Sequence, residues 1–202
     1  MKTQIKIMIK IGLTGGIGSG KSFVCGLLKK KGMAVYDCDA AAKEIMAKDQ
    51  QVIASLKQLV GEHVYTSQGL DKTVMSAYLF ASPEHAASVS SVVHPAVARG
   101  FEKFVASNQD APACVLESAI LFESGLQSLV DKCVCVQAPL PMRISRVQQR
   151  DGLSESAIRQ RIARQMSEEA QEKLPVDFFI QNDGQSDLEQ QVQDMLCAFK
   201  LF

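Results

Sequence analysis

Residues 12–22 read "GLTGGIGSGKS", with five glycines in eleven positions. Before them the isoleucines Ile7, Ile9 and Ile11 fall at every second position, and after them comes "FVCGLLKKK" (residues 23–31). The first pattern predicts a strand over about Ile5 to Leu13, and the second predicts a helix stopped by Gly32. Between them the spacing Gly15-x4-Gly20-Lys21-Ser22 meets all four fixed positions of a phosphate-binding loop, in the strand-then-helix setting that loop requires. The residue types follow from the task. A loop that wraps a polyphosphate points successive N–H groups inward, in dihedrals that glycine reaches without a Cβ penalty. The helix behind it adds unpaired N-terminal amides and the positive end of its dipole. A lysine at position 21 reaches terminal phosphates, and a serine hydroxyl at 22 suits Mg²⁺.

Outward from this loop, short buried strands alternate with helices. "MAVYD" (33–37), "ACVLESAI" (113–120), "KCVCVQA" (132–138) and "VDFFIQND" (176–183) read as strands, and "DLEQQVQDMLCAFK" (187–200) reads as a closing helix. That alternation predicts a parallel sheet covered on both faces. From "QQVIASLKQLV" to "FEKFVAS" the apolar spacing is helical with no convincing strand, which predicts a helical insertion. Residues 141–166, "PMRISRVQQRDGLSESAIRQRIARQM", are helical, polar and rich in arginine. The chain thus divides into a core (1–44, 111–139 and 176–202), a helical insertion (45–110) and an Arg-rich lid (140–175). With 22 basic against 22 acidic residues among 202, no overall field favours nucleic acid or an anionic membrane. No apolar run approaches the length of a membrane span. The six cysteines form no CxxC pair and the start of the chain lacks a signal pattern, so buried, reduced thiols and a cytoplasmic location are expected. The histidines at 63, 85 and 94 form no metal-ligand pattern.

Several residues could carry chemistry. Asp37 and Asp39 follow the second strand, at the sheet edge that faces the ligand crevice in open α/β folds. If the strand persists, both point to one side. Asp39 could accept a hydroxyl proton or hold a metal through water; equally, it could cap the helix "AAAKEI". Glu117 ends a buried strand, where P-loop proteins place an acid that organises Mg²⁺. Glu123 reads as a solvated loop acid. His94 precedes Pro95, which reads as a proline in a first helical turn. Arg143, Arg146 and Arg150 share one helix face. A phosphate role is favoured for Arg143 and Arg150, and a solvated role for Arg146, Arg159, Arg161 and Arg164.

Taken in order, "GLTGGIGSGKS", "VYDCDAAAKEI", "GLDKTVMSAYLF", "VVHPAV", "ESAILFESGL", "RISRVQQRDGLS" and "RQMSEEAQEKLPVDFFIQNDG" resemble the dephospho-CoA kinase family over nearly the whole chain. The resemblance implies a P-loop NTPase-type three-layer α/β fold with a central parallel sheet, a helical substrate-binding insertion and a helical lid. It implies ATP and Mg²⁺, and phosphorylation of the ribose 3′-hydroxyl of dephospho-CoA to give CoA and ADP. Gly16, Ile17, Gly18, Ser19, Gly20, Lys21, Ser22, Phe23, Arg150 and Asn182 would bind ATP, Asn182 near the adenine. Asp39, Lys21 and Arg143 would be catalytic, with Asp39 as the base. Asp37, Asp39, His94 and Glu117 would meet the acceptor, and Ser22 and Glu117 the metal. A monomer or weak homo-oligomer acting on a small molecule is expected. Three departures stand out. Phe23 replaces the usual Thr and is expected to point into its helix. Ala119 replaces Pro, and Lys72 stands where Arg is common. The rivals are another small-molecule P-loop kinase, for a nucleoside monophosphate or a sugar acid, and a non-enzymatic nucleotide switch, which should carry an Asn-Lys-x-Asp element that this chain lacks.

Overall fold

The computed structural model describes residues 8–163 and 165–201; the expected strand positions Ile5 and Ile7, and Arg164, lie outside the described residues. The chain forms two compact units, one comprising residues up to Tyr36 together with those from Asn108 onward, the other spanning Asp37–Ser107.

The first unit is built on a five-stranded sheet: β1 (Ile9–Thr14), β2 (Ala34–Asp37), β5 (Ala113–Glu117), β6 (Lys132–Gln137) and β7 (Phe178–Gln181), in the order β2-β5-β1-β6-β7. β1 pairs in parallel with β5 and with β6, and β6 pairs in parallel with β7. The strands are apolar on both faces because helices cover both. In β1 all of Ile11, Gly12, Leu13 and Thr14 are buried, and in β5 so are Ala113, Cys114, Val115 and Leu116. Helix α1 (Lys21–Lys30) lays Val24, Leu27 and Leu28 on the sheet beside Val192, Met195 and Leu196 of α9 (Leu188–Ala198). It ends where Gly32 predicts. The Gly32 N–H donates to the Lys29 carbonyl and the Met33 N–H to the Leu28 carbonyl, the paired bonds of a Schellman stop. The arginine-rich stretch forms α6 (Leu140–Asp151) and α7 (Glu155–Ile162), joined through a small core of Ile144, Val147 and Ile158 against which Ile17 packs. A short α8 (Glu168–Glu172) follows.

The second unit holds α2 (Cys38–Lys48), α3 (Gln50–Val60), α4 (Lys72–Ala81) and the long α5 (Pro83–Ser107), whose buried Val89, Val93, Val97 and Phe101 form its spine. It is not purely helical. Tyr65–Thr66 (β3) and Gly69–Leu70 (β4) pair as a two-residue antiparallel hairpin. The expectation that Pro95 begins a helix is corrected, since it lies well inside α5. There it removes the N–H that would reach the Ser91 carbonyl one turn back. No disulfide joins the described cysteines; five are buried and Cys197 is exposed. No described helix is long and apolar enough to cross a membrane.

Candidate active site

The glycine loop leaves the central strand at its carboxyl end, beside the point where the strand order reverses, and enters α1. Gly20 begins the helix at φ +101°, a left-handed conformation that side chains resist, and a Cβ there would drive into the amide nitrogen of Asn182. Gly16 is a close approach of a second kind, because a Cβ would strike the guanidinium of Arg143. The loop is internally braced by Ser19 N–H on the Gly16 carbonyl (3.1 Å) and by Phe23 N–H on the Gly20 carbonyl (3.0 Å). Among the described residues no hydrogen bond takes the amides of Gly18, Gly20 or Ser22. A cluster of unspent donors at a helix start is an anion cradle. Lys21 adds a cation: its Nζ donates to the Gly15 carbonyl (2.9 Å) and stands 3.7 Å from Oε1 of Glu117, with both side chains nearly buried. Ser22 is exposed on the first turn of α1.

Residues far along the chain grip the same loop. Arg143, only 4% exposed, donates from Nε to the Ile17 carbonyl (2.9 Å), and Gln165 accepts from the Ile17 N–H (2.8 Å), so both polar groups of that peptide position are held from the arginine-rich segment. Arg146 reaches the carbonyls of Gly18 and Ser19 (both 3.4 Å) and Oδ1 of Asn182 (3.0 Å). Buried Asn182 donates Nδ2 to the Ser19 carbonyl (2.8 Å). Arg150, expected at the nucleotide, is instead exposed and paired with its neighbour Asp151 (Nε to Oδ1, 2.7 Å). Arg146, expected to be solvated, is the arginine at the loop. The spacing put all three arginines on one face but carried no sign of which one meets the glycines. Gln165, uncharged and in no motif, gave no signal. Phe23 does not point into its helix. It is 57% exposed, lying off the face centred on Val24 and Leu28. Glu123 is exposed, accepting from Met166 N–H at 3.4 Å.

Beside the loop lies a cavity of about 210 Å³, bordered by Ser19, Arg143, Gln171, Gln181 and Asp183. The Ser19 hydroxyl is buried there without a hydrogen-bond partner among the described residues. Burial pushes the pKa of the Cys135 thiol, 3.8 Å from Oε1 of Gln171, up to about 11, against the opposing pull of Lys21 and Arg143, so it packs as a protonated thiol.

In the other unit, Asp37 rather than Asp39 caps α2: it closes β2 and accepts from Ala40 N–H at 2.9 Å. The strand does not persist past Asp37, so the same-side geometry expected of the two aspartates does not form. Asp39 lies in the first turn of α2, exposed, and no hydrogen bond takes its carboxylate among the described residues. His94 is half-buried in α5, and burial lowers its pKa. No group of three or more His, Cys, Asp or Glu among the described residues could hold a metal by itself.

Comparison with known proteins agrees with this architecture. A family model described as dephospho-CoA kinase matches residues 9–187. A dephospho-CoA kinase of Bacteroides fragilis strain YCH46 is 43% identical over 190 residues, covering 94% of this chain and 92% of its own. A solved structure from Thermus thermophilus superposes with a TM-score of 0.81 at 34% identity, covering 96% of this chain and 97% of that one. The dephospho-CoA kinase structure from Campylobacter jejuni, at 21% identity and a TM-score of 0.66 over 96% of this chain and 98% of its own, shares the fold.

Proposed function

The chain belongs to the dephospho-CoA kinase family, and from that premise we propose that it transfers the γ-phosphoryl group of ATP to the ribose 3′-hydroxyl of dephospho-CoA, releasing CoA and ADP. The observation that carries this is the braced glycine loop: unspent amides at the head of α1 with the Lys21 ammonium beside them. Those donors suit the β- and γ-phosphates. The neighbouring cavity, bordered by Gln181 and Asp183, is our assignment for the base. Ser22 and Glu117 offer a hydroxyl and a carboxylate, the hard oxygen donors that Mg²⁺ takes alongside phosphate oxygens. When bound, that ion would neutralise charge between the phosphates. With few groups able to form covalent intermediates, catalysis rests on positioning and electrostatics. Lys21 shifts from the Gly15 carbonyl and Glu117 to the transferring group. Arg143 holds the loop crest through Ile17 and stands ready for developing charge. Asp39, with no hydrogen bond to satisfy, accepts the proton of the attacking hydroxyl, while Asp37 stays on its cap. His94 is assigned to the acceptor site. Residues 140–175 act as the lid, excluding water that would otherwise take the phosphoryl group. A cytoplasmic, monomeric or weakly associating enzyme fits this role.

The test is ADP release by purified protein with ATP and Mg²⁺ across a panel of acceptors, with product mass as the readout. Turnover that depends on dephospho-CoA and adds one phosphoryl group to it supports the proposal. Turnover with a nucleoside monophosphate or a sugar acid instead would move the chain to a different acceptor class.

A further inference from the structure

We propose that Asn182 and Arg146 are positioning residues that set the phosphate-binding loop from behind: they fix the Ser19–Gly20 peptide so that its N–H meets the polyphosphate. The proposal rests on reading this loop as the polyphosphate site. Asn182 follows β7, and its own N–H is anchored on the Gln137 carbonyl (2.7 Å). Its side chain is 7% exposed, with Nδ2 donating to the Ser19 carbonyl and Oδ1 accepting from Arg146. Arg146 reinforces this by donating to the Asn182 and Ser19 carbonyls (3.3 and 3.4 Å). In a trans peptide the C=O and the next N–H point in opposite directions. Holding the Ser19 oxygen against Asn182 therefore turns the Gly20 N–H to the other side of the plane, away from Asn182. That N–H has no acceptor among the described residues. The contact is as tight as the backbone allows: no side chain fits at Gly20 against the Asn182 amide. With its amide turned onto the Ser19 carbonyl and Arg146, Asn182 acts on the phosphates through the loop.

Inorganic tripolyphosphate separates the two roles, since it carries the phosphates without the base. Isothermal titration of wild type, Asn182→Ala, Arg146→Met and the double variant with tripolyphosphate and with ADP is the experiment, with melting curves to confirm folding. Loss of a bond that fixes one phosphate-binding amide should weaken tripolyphosphate and ADP alike, by about five- to tenfold for Asn182→Ala. KM for ATP should rise while KM for dephospho-CoA stays put. Arg146→Met, at a half-buried position that tolerates change, should weaken both by a smaller factor. Because Arg146 and Asn182 share the Ser19 carbonyl and bond to each other, the loss in the double variant should be less than the sum of the two single losses. If Asn182→Ala weakens ADP but leaves tripolyphosphate at the wild-type value, the side chain reads the base and the proposal fails. Fully additive losses would show that the two residues act on the loop independently and would overturn the joint clamp. If Asn182→Ala does not fold, unchanged tripolyphosphate binding by Arg146→Met refutes the clamp by itself. Wild-type protein that ignores tripolyphosphate but binds ADP would overturn the clamp while leaving the kinase assignment to the acceptor assay.

Discussion

Replacing Glu117 by Gln tests the electrostatics of the loop most directly. The Lys21 ammonium and the Glu117 carboxylate stand 3.7 Å apart, with side chains only 11% and 13% exposed. At an effective dielectric of ~20, two unit charges at that separation attract by about 4–5 kcal/mol before desolvation is subtracted. Gln keeps the shape and deletes the charge. It leaves Lys21 with the Gly15 carbonyl but without this counter-charge, and removal of one member of a buried pair typically costs about 3–5 kcal/mol. Discounting for residual exposure to about 2–4 kcal/mol, and taking about 2–4 °C per kcal/mol for a chain of this length, the melting temperature should fall by roughly 5–15 °C. The loss should also be specific. A polyphosphate in the loop supplies the missing negative charge, so saturating tripolyphosphate should restore most of the difference, and its affinity should exceed that of wild type because a nearby carboxylate no longer repels it. Scanning calorimetry with and without tripolyphosphate measures both effects. A melting temperature within about 2 °C of wild type, or a deficit that persists unchanged at saturating tripolyphosphate, would refute the idea that Glu117 holds the Lys21 charge in reserve for phosphate.

Asp39→Asn should change melting little, because among the described residues no hydrogen bond takes its carboxylate, while turnover falls by about 10²–10⁴-fold; wild-type ADP release would remove Asp39 from the role of base. Asp37→Ala, by contrast, deletes a cap and should cost about 1 kcal/mol in urea titration. At Asp177, burial raises the carboxyl pKa, but hydrogen bonds from Lys132 (2.7 Å) and the Cys133 N–H (2.8 Å) outweigh it, and the net pKa is below the ordinary value. Its contribution is therefore complete above the unfolded pKa of about 4 and disappears as pH falls through the lowered folded value. Asp177→Asn should melt below wild type at neutral pH, with the gap narrowing as pH falls below the ordinary carboxylate range; a constant gap would show that the charge is immaterial. Native protein should show one fast-reacting thiol, Cys197, with the five buried cysteines reacting only on unfolding; Cys197→Ser should abolish the fast phase.

What the sequence made legible follows from what leaves a periodic or fixed-spacing trace. β1, the glycine loop and α1 are read directly, because a two-residue period, four fixed positions and a stop glycine converge within some thirty residues. The hairpin at Tyr65–Leu70 was invisible, because two-residue strands are too short for alternation to register. Either aspartate of "DCD" could cap a helix, and only the observed end of β2 at Asp37 decides between them. The hidden part of the site is the part made by tertiary approach. Arg146, Gln165 and Asn182 meet the loop through carbonyls and amides more than a hundred residues distant in sequence, and no local pattern encodes such meetings.

The sheet order carries a cost at synthesis. β1 has no ladder partner until residues 113–117 and 132–135 exist, because its neighbours are β5 and β6. At about 5–20 residues per second on the ribosome, that is a wait of several seconds or more during which an apolar strand and its unpaired edges stay exposed. The helical stretch 37–107, rich in short-range contacts, emerges during that interval and can fold first. Nascent chains arrested just before residue 113 should bind holding chaperones through β1, and those extended past 137 should let go.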